Sequence, residues 1–275
     1  MSLDPNTGYV KAWVGGINHH FYKYDHVIES KRQVGSIFKP FVYAAAIDQH
    51  NYTPCKKFPN VQVIFEKEKW GLKEDWIPRN SNEIYGGEIN LKQALANSIN
   101  TITANLMKQV GPKKVKTIAR SMGLKSRIPL SPSICLGTPE LTIFEMVGAY
   151  STFVNKGVYI SPIILNRIED KNGIILEEFS TKSKEVLSED KAFVMINLLK
   201  GVINEGSGIR LRWKYGFKNE IAGKTGTTQN QSDGWFVGMV PNLVTGVWTG
   251  AEDRAVHFRD ISLGQGANMS LPTWA

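Results

Sequence analysis

The sequence predicts an α+β domain, an antiparallel sheet of about five strands flanked by helices, with a mostly helical lobe beside it. Three observations predict this. The stretches NEIAGKTGTT, SDGWFVGMVP and LVTGVWTGAED follow one another with short polar turns between them, which reads as an antiparallel meander. Far upstream, YVKAWVGG alternates like a strand leaving the turn DPNTG. The residues between carry helical patterns. An early strand that pairs with late ones leaves the intervening helices to form a lobe beside the sheet.

Taken in order, residues 36 to 49 read as a helix starting just after a glycine. Residues 54 to 87 scatter Pro, Asn, Trp and Gly, as in a long ordered excursion. NLKQALANSINTITANLMKQV has apolar residues at helical spacing, with Asn90 as N-cap and Gly111 then Pro112 as the stop. Further helices are expected at 113–122, 139–155 and 188–204, and VYISPIILNRIEDKNGIILEEF reads as two strands around a KNG turn. The expected organisation is one domain over 1–275. Its sheet is drawn from about 4–35 and 158–270, and its helical lobe from about 50–157. MSLDPNTG reads as a short vector remnant followed by a turn, so the chain reads as an excised fragment.

The 275 residues are 42% hydrophobic and 21% charged, which argues against disorder. No apolar run approaches the roughly 18 residues that a membrane span needs. The net charge of +8 comes from scattered lysines and arginines. VGPKKVKTIARSMG looks like the solvated face of an amphipathic helix, and nothing resembles a nucleic-acid-binding module. Cys55 and Cys135 have no metal-ligand spacing and read as two unrelated thiols, although a disulfide stays open. Adjacent His19 and His20 would point to different sides of a strand and read as loop residues rather than metal ligands.

The chemistry is concentrated in RQVGSIFKPFVYAAAI, where an apolar helix keeps Ser36 and Lys39 three residues apart. Positions i and i+3 share a helix face, and Gly35 leaves Ser36 at the helix start, where free N–H groups favour negative charge. An amine in an apolar wall loses hydration and its pKa falls, so a neutral lysine could act as general base for the serine. A serine cap followed by a snorkelling lysine would look the same. ANSINTI adds Ser98 and Asn100 at or near a helix, suited to hydrogen-bonding a lysine and a peptide. AGKTGTT adds Lys224, Thr225, Gly226, Thr227 and Thr228 on a strand. Its cation and hydroxyls suit a carboxylate, and its glycine permits close backbone approach.

S-x-x-K, S-x-N and K-T-G in this order form the signature of the penicillin-recognising serine acyltransferases. DPNTGYVKAWVGG, KRQVGSIFKPFVYAAAID, ICLGTPELTIFEMVGAYSTFVNKG and AGKTGTTQNQSDGWFVGMVPNLVTGVWTG each resemble the transpeptidase domain of class A, bifunctional penicillin-binding proteins. The resemblance implies a β-lactamase/transpeptidase-like fold and a D,D-transpeptidase that cross-links peptidoglycan stem peptides without metal or cofactor and is acylated by β-lactams. It implies that Ser36 is the acylated nucleophile and Lys39 its base. Ser98 would relay a proton to the leaving amine, Asn100 would hold the donor peptide, and Lys224 would set the electrostatics. Thr225 and Thr227, on either side of Gly226, would bind the terminal carboxylate, and the backbone N–H groups of Ser36 and Thr227 would form the oxyanion hole. It also implies a parent anchored on the outer face of the bacterial cytoplasmic membrane, with a glycosyltransferase domain.

The sequence departs from the family pattern at Gly234, where alanine is usual, and at the GSG of 206–208, where threonine is commoner. GANMSLPTWA resembles the approach to a last helix that is missing. A serine β-lactamase, a D,D-carboxypeptidase and a non-catalytic β-lactam sensor are the rival readings. For the first, PELTIFE has a glutamate without the partner residues that a deacylating base keeps.

Overall fold

The central sheet takes its strands from the two ends of the chain. A computed structural model describes residues 1–18 and 20–275, so the expectation for His19 lies outside the described residues, while His20 sits in an exposed turn. The five strands are β1 (Ser2–Leu3), β2 (Val10–Ala12), β3 (Ala222–Thr227), β4 (Asp233–Val240) and β5 (Leu243–Gly250). They lie in the order β3-β4-β5-β1-β2, all antiparallel.

The expectation for Met1–Leu3 is overturned. Leu3 is fully buried, Ser2 pairs with Thr245 across β5, and the Ser2 and Thr245 hydroxyls lie 2.9 Å apart. A two-residue strand is too short to show alternation, yet it sits between β5 and β2. The strands at Val158–Ile160, Arg167–Glu169, Ile175–Glu178 and Ser183–Glu185 also depart from expectation. They form two separate two-stranded sheets outside the central one. Their alternation is real, but their side chains are mostly exposed, so no core face holds them to the main sheet.

Five longer helices are α1 (Lys39–His50), α2 (Leu91–Ala96), α3 (Asn100–Ser121), α4 (Ile143–Val154) and α5 (Glu189–Asn204). Every residue of α1 from Lys39 to Ile47 is buried, as befits a helix that is apolar on all sides. It packs on α3 and α5, while α4 and α5 cover one face of the sheet. The other face is covered by the short turns Gly266–Met269 and Leu271–Trp274. Trp274 stands edge-on to Phe236 at 5.3 Å and donates Nε1–H to the Thr245 carbonyl at 3.1 Å. The GANMSLPTWA segment therefore packs directly on the sheet. It also explains Gly234, where an alanine Cβ would fall 2.7 Å from the Met269 Cβ.

The chain entering α1 is tied to the sheet by a buried carboxylate. Asp233 accepts from Arg32 Nε at 2.8 Å, from Trp248 Nε1 at 3.0 Å and from Thr228 Oγ1 at 3.1 Å. Arg32 also stacks on the Trp248 ring at 5.0 Å. Arg32→Met would leave a fully buried carboxylate with Arg254, 3.7 Å away, as its remaining cation. The expected cost is about 3 kcal/mol in urea unfolding.

Candidate active site

Ser36 lies in a 3-10 turn, Gly35–Phe38, that leads directly into α1. Side chains three apart eclipse in such a turn, so Ser36 and Lys39 occupy one edge. Gly35 has φ +55°, and a Cβ there would fall 2.5 Å from the Thr227 carbonyl oxygen. Its N–H donates to Gly137 at 3.0 Å, and Gly137 is itself too close to Gly35 to carry a side chain. The turn is held from below by Tyr150 of α4, whose hydroxyl donates to the Ile37 carbonyl at 2.6 Å. Gly35→Ala is expected to lower the melting temperature by several degrees. It should also slow any acylation of Ser36, because the turn must back away from β3.

The strand β3 approaches from the other side. A Cβ on Gly226 would fall 2.9 Å from the Val34 carbonyl oxygen and from Ile37, so only glycine lets the turn and strand meet. Thr228 N–H donates to Asp233 across the sheet. Antiparallel strands alternate, so the Thr227 N–H and C=O point away from β4, toward Gly35 and Ser36. The Thr227 hydroxyl accepts from Gly266 N–H at 3.0 Å, which leaves its own proton to donate. The Thr225 hydroxyl lies 2.5 Å from that of Ser207, a residue of the GSG loop whose N–H donates to Ala96. Ser207 thus places a hydroxyl at the departure seen in the sequence.

The third side is the break between α2 and α3, where the expected single helix does not occur. Ser98 has φ +56°, and Ile99 N–H donates to Ala94 while Ser98 N–H donates to Leu95. This is a Schellman ending, with a serine where glycine is usual. The helical apolar pattern runs on through Leu95, Ile99 and Ile102, with no Gly or Pro to mark the stop. Further along α3, Gly111 is non-helical (φ 74°, ψ 155°), and Pro112 opens the next turns, as expected from the sequence.

These three elements converge on two buried lysines. Lys39 Nζ donates to the Ser98 carbonyl at 2.5 Å, to Asn100 Oδ1 at 2.5 Å and to Ser98 Oγ at 3.1 Å. Lys224 Nζ donates to the same Ser98 Oγ at 3.1 Å and to the Thr225 carbonyl at 3.0 Å. Among the described residues, the hydrogen bonds of Lys39 thus run to Ser98 and Asn100 rather than to Ser36. Burial strips the ammonium of water and brings the Lys39 pKa down to about 7, against a smaller opposing pull from Cys135. Burial, and then the charge of Lys39, hold Lys224 well below its ordinary range. Cys135 is a buried free thiol that burial pushes up to about 12, and Cys55 is exposed and also free.

This arrangement can supply a hydroxyl at a helix start, an amine near neutrality three residues on, and the Thr227 N–H that faces the turn. It can also supply a cation beside two threonine hydroxyls. Sequence reasoning missed the roles of Ser207 and Tyr150, because neither lies at a motif spacing, whereas Cys55 and Cys135 are the two unrelated thiols expected. The open cavity of about 540 Å³ near Lys200 and Arg212 carries no nucleophile, and Lys200 is already bonded to Glu220 and Arg212 to Asn204.

Residues 1–251 match the family model described as the penicillin binding protein transpeptidase domain. The chain is 34% identical over 278 residues to penicillin-binding protein 1A of Aquifex aeolicus, covering all of this chain and 36% of that protein. It is 32% identical over 280 residues to penicillin-binding protein 1A of Neisseria meningitidis, again covering all of this chain and 34% of that protein. The chain therefore spans about a third of the length of these relatives. Among solved structures, penicillin-binding protein 1A from Haemophilus influenzae superposes with a TM-score of 0.90 at 26% identity, over 99% of this chain and 45% of that one. The PonA1 protein of Mycobacterium tuberculosis in complex with penicillin V gives 0.84 at 24% identity, over 99% of this chain and 74% of that one, a likeness of fold. The match over nearly the whole chain, the shared sheet and the meeting of turn, strand and helix break agree, and the chain belongs to the penicillin-binding protein transpeptidase domain family.

Proposed function

We propose that this chain is a D,D-transpeptidase module acting through a serine acyl-enzyme. The observation that carries the reading is the convergence of Lys39 and Lys224 on one hydroxyl, Ser98 Oγ, beside the turn that bears Ser36. Neutral Lys39 takes the proton of Ser36 as its oxygen attacks the penultimate D-Ala carbonyl of a stem peptide. The oxyanion is met by the N–H groups of Ser36 and Thr227. Ser98 passes a proton to the departing D-Ala amine, the carbon–nitrogen bond breaks, and the donor stays on Ser36 as an ester. An amine from a neighbouring stem then attacks that ester, the carbon–oxygen bond to Ser36 breaks as the new amide forms, and the proton lost by the amine passes through Lys39 to the Ser36 oxygen.

Asn100 keeps Lys39 oriented and faces the donor peptide. The terminal carboxylate is received by Lys224 and by the Thr227 hydroxyl, which accepts from Gly266 and keeps its proton to donate, with the Thr225–Ser207 hydroxyl pair beside it. Its negative charge beside Lys224 favours the ammonium form that burial disfavours. A β-lactam would open on Ser36 and remain there as a slowly hydrolysing ester.

One observation weighs against a β-lactamase. Glu145, the second glutamate of PELTIFE, accepts from Lys125 N–H, Ser126 N–H and Thr142 N–H at 2.6–3.1 Å and from the Ser126 hydroxyl at 2.8 Å. It caps α4 and ties down a loop, and so is not free to activate water. No helix among the described residues is long and apolar enough to cross a membrane. The same reading places the module outside the cytoplasmic membrane, in a parent with an anchor and a glycosyltransferase domain.

The test is a labelled penicillin followed by mass over time. A persistent adduct on Ser36, together with exchange of D-amino acid into a pentapeptide donor, is the expected result. No adduct at all would sink the reading. A rapidly lost adduct would point to a β-lactamase, and a persistent one without exchange to a sensor.

A further inference from the structure

The Ser98–Asn100 limb depends on a residue twenty positions upstream. Helix α3 begins at Asn100 with Ile99 at its cap position, and Ile99 has no side-chain acceptor to offer. The first N–H groups of a helix need partners, and here Asn80 provides them. Asn80 Oδ1 accepts from Asn100 N–H at 3.0 Å and from Thr101 N–H at 3.1 Å. The Asn80 amide nitrogen donates to Asn60 Oδ1 at 3.0 Å and to the Ile84 carbonyl at 2.9 Å. Asn60 Oδ1 in turn accepts from the Thr101 hydroxyl at 2.6 Å, closing a ring of three side chains. Asn60, Asn80 and Thr101 are all buried.

The neighbouring residue fixes the other half of the limb. Asn100 Nδ2 donates to the Arg79 carbonyl at 2.7 Å. With one Nδ2–H held by that carbonyl, the Asn100 amide turns its oxygen to Lys39, which donates to it, and keeps the other N–H for the groove. Residues 79 and 80 therefore set both where α3 starts and which way the Asn100 amide faces. Breaking the helix at Ser98 requires a separate partner for the new helix start, and the long excursion from 54 to 90 brings one.

We propose that Asn80 is a positioning residue for this site, a helix cap supplied from outside the helix that holds Asn100 against Lys39, with Asn60 as its support. The inference rests on the acyl-transfer reading above. Asn80→Ala frees two N–H groups at the start of α3 and loosens the neighbouring Arg79 carbonyl that orients the Asn100 amide. Asn90→Ala is the control, because Asn90 caps α2 in the ordinary way, accepting from Gln93 N–H at 2.9 Å, at the far end of the same limb.

The experiment measures penicillin acylation of the whole chain at a temperature where thermal melts show every variant folded. Asn80→Ala should slow acylation at least about tenfold, whereas Asn90→Ala should change it less than about twofold. In an Asn100→Ala background, the further effect of Asn80→Ala should shrink to less than about twofold, since the residue it positions is gone. Acylation by Asn80→Ala within twofold of wild type would overturn the inference. So would equal slowing by Asn90→Ala, or an undiminished effect in the Asn100→Ala background. Should Asn80→Ala fail to fold, Asn60→Ala and Thr101→Val loosen the same ring more gently, and the same comparisons apply. Absence of any adduct on wild type would instead remove the acyl-transfer reading itself.

Discussion

Ser36→Ala is expected to leave no penicillin adduct, a fall of at least about 10³-fold in acylation rate, with the melting temperature within about 2 °C of wild type. The size follows from the chemistry. The other hydroxyls named at the site are committed elsewhere, with Ser98 bonded to both lysines, Thr225 to Ser207 and Thr227 to Gly266. None can take over the role of nucleophile at the turn. The change in stability is small because Ser36 is half-buried and the turn is held through the backbone, by Gly35 to Gly137 and by Tyr150 to Ile37. Intact-protein mass spectrometry beside a thermal melt checks both halves. An adduct at wild-type rate on the alanine variant would place the nucleophile elsewhere.

Lys39 gives the second large effect, and its sign is set by burial. With a pKa of about 7, the amine is increasingly neutral as pH rises through that value. Acylation should therefore fall about tenfold per unit below pH 7 and level off above it. Lys39→Arg keeps the charge but cannot release a proton at any useful pH, and should slow acylation by at least about 10²-fold across the range. The same shift enters stability. Between pH 7 and the ordinary lysine range, the unfolded chain holds a proton that folded Lys39 has released, so stability rises with pH. The slope is at most about 1.4 kcal/mol per unit. Above pH 9 the unfolded Cys135 thiol begins to ionise while the folded one stays protonated, which works the other way. Urea unfolding between pH 7 and 9 should show the rise, and Lys39→Met should reduce it without abolishing it, because buried Lys224 is shifted in the same direction. A rate that is unchanged between pH 5 and 8 would rule out the neutral-amine role.

Parts of this site are written plainly in the sequence and parts are not. The late meander is legible because alternation and short polar turns survive in AGKTGT, DGWFVGMV and LVTGVWTG. The Ser36 turn is legible because Gly35 precedes a run of apolar residues. The break at Ser98 is not, since Leu91, Leu95, Ile99 and Ile102 keep helical phase straight through it. Long-range bonds compensate for the left-handed backbone there, Lys39 to the Ser98 carbonyl and Asn80 to the start of α3. Ser2–Leu3 is hidden for a related reason, because a strand of two residues is defined by its partners alone. Asn60 and Asn80 sit in an excursion with no periodicity, where a buried polar residue and an exposed one look alike.

The position of Ser2–Leu3 also bears on how the protein is made. Ser2 and Thr245 are separated by 243 residues, so the sheet cannot close until nearly the whole chain has been synthesised. Ser2–Leu3 and Val10–Ala12 must wait, their edges unpaired, while the helical portion collects beside them. Such a molecule should fold slowly and be most vulnerable to aggregation before the late strands are available to pair.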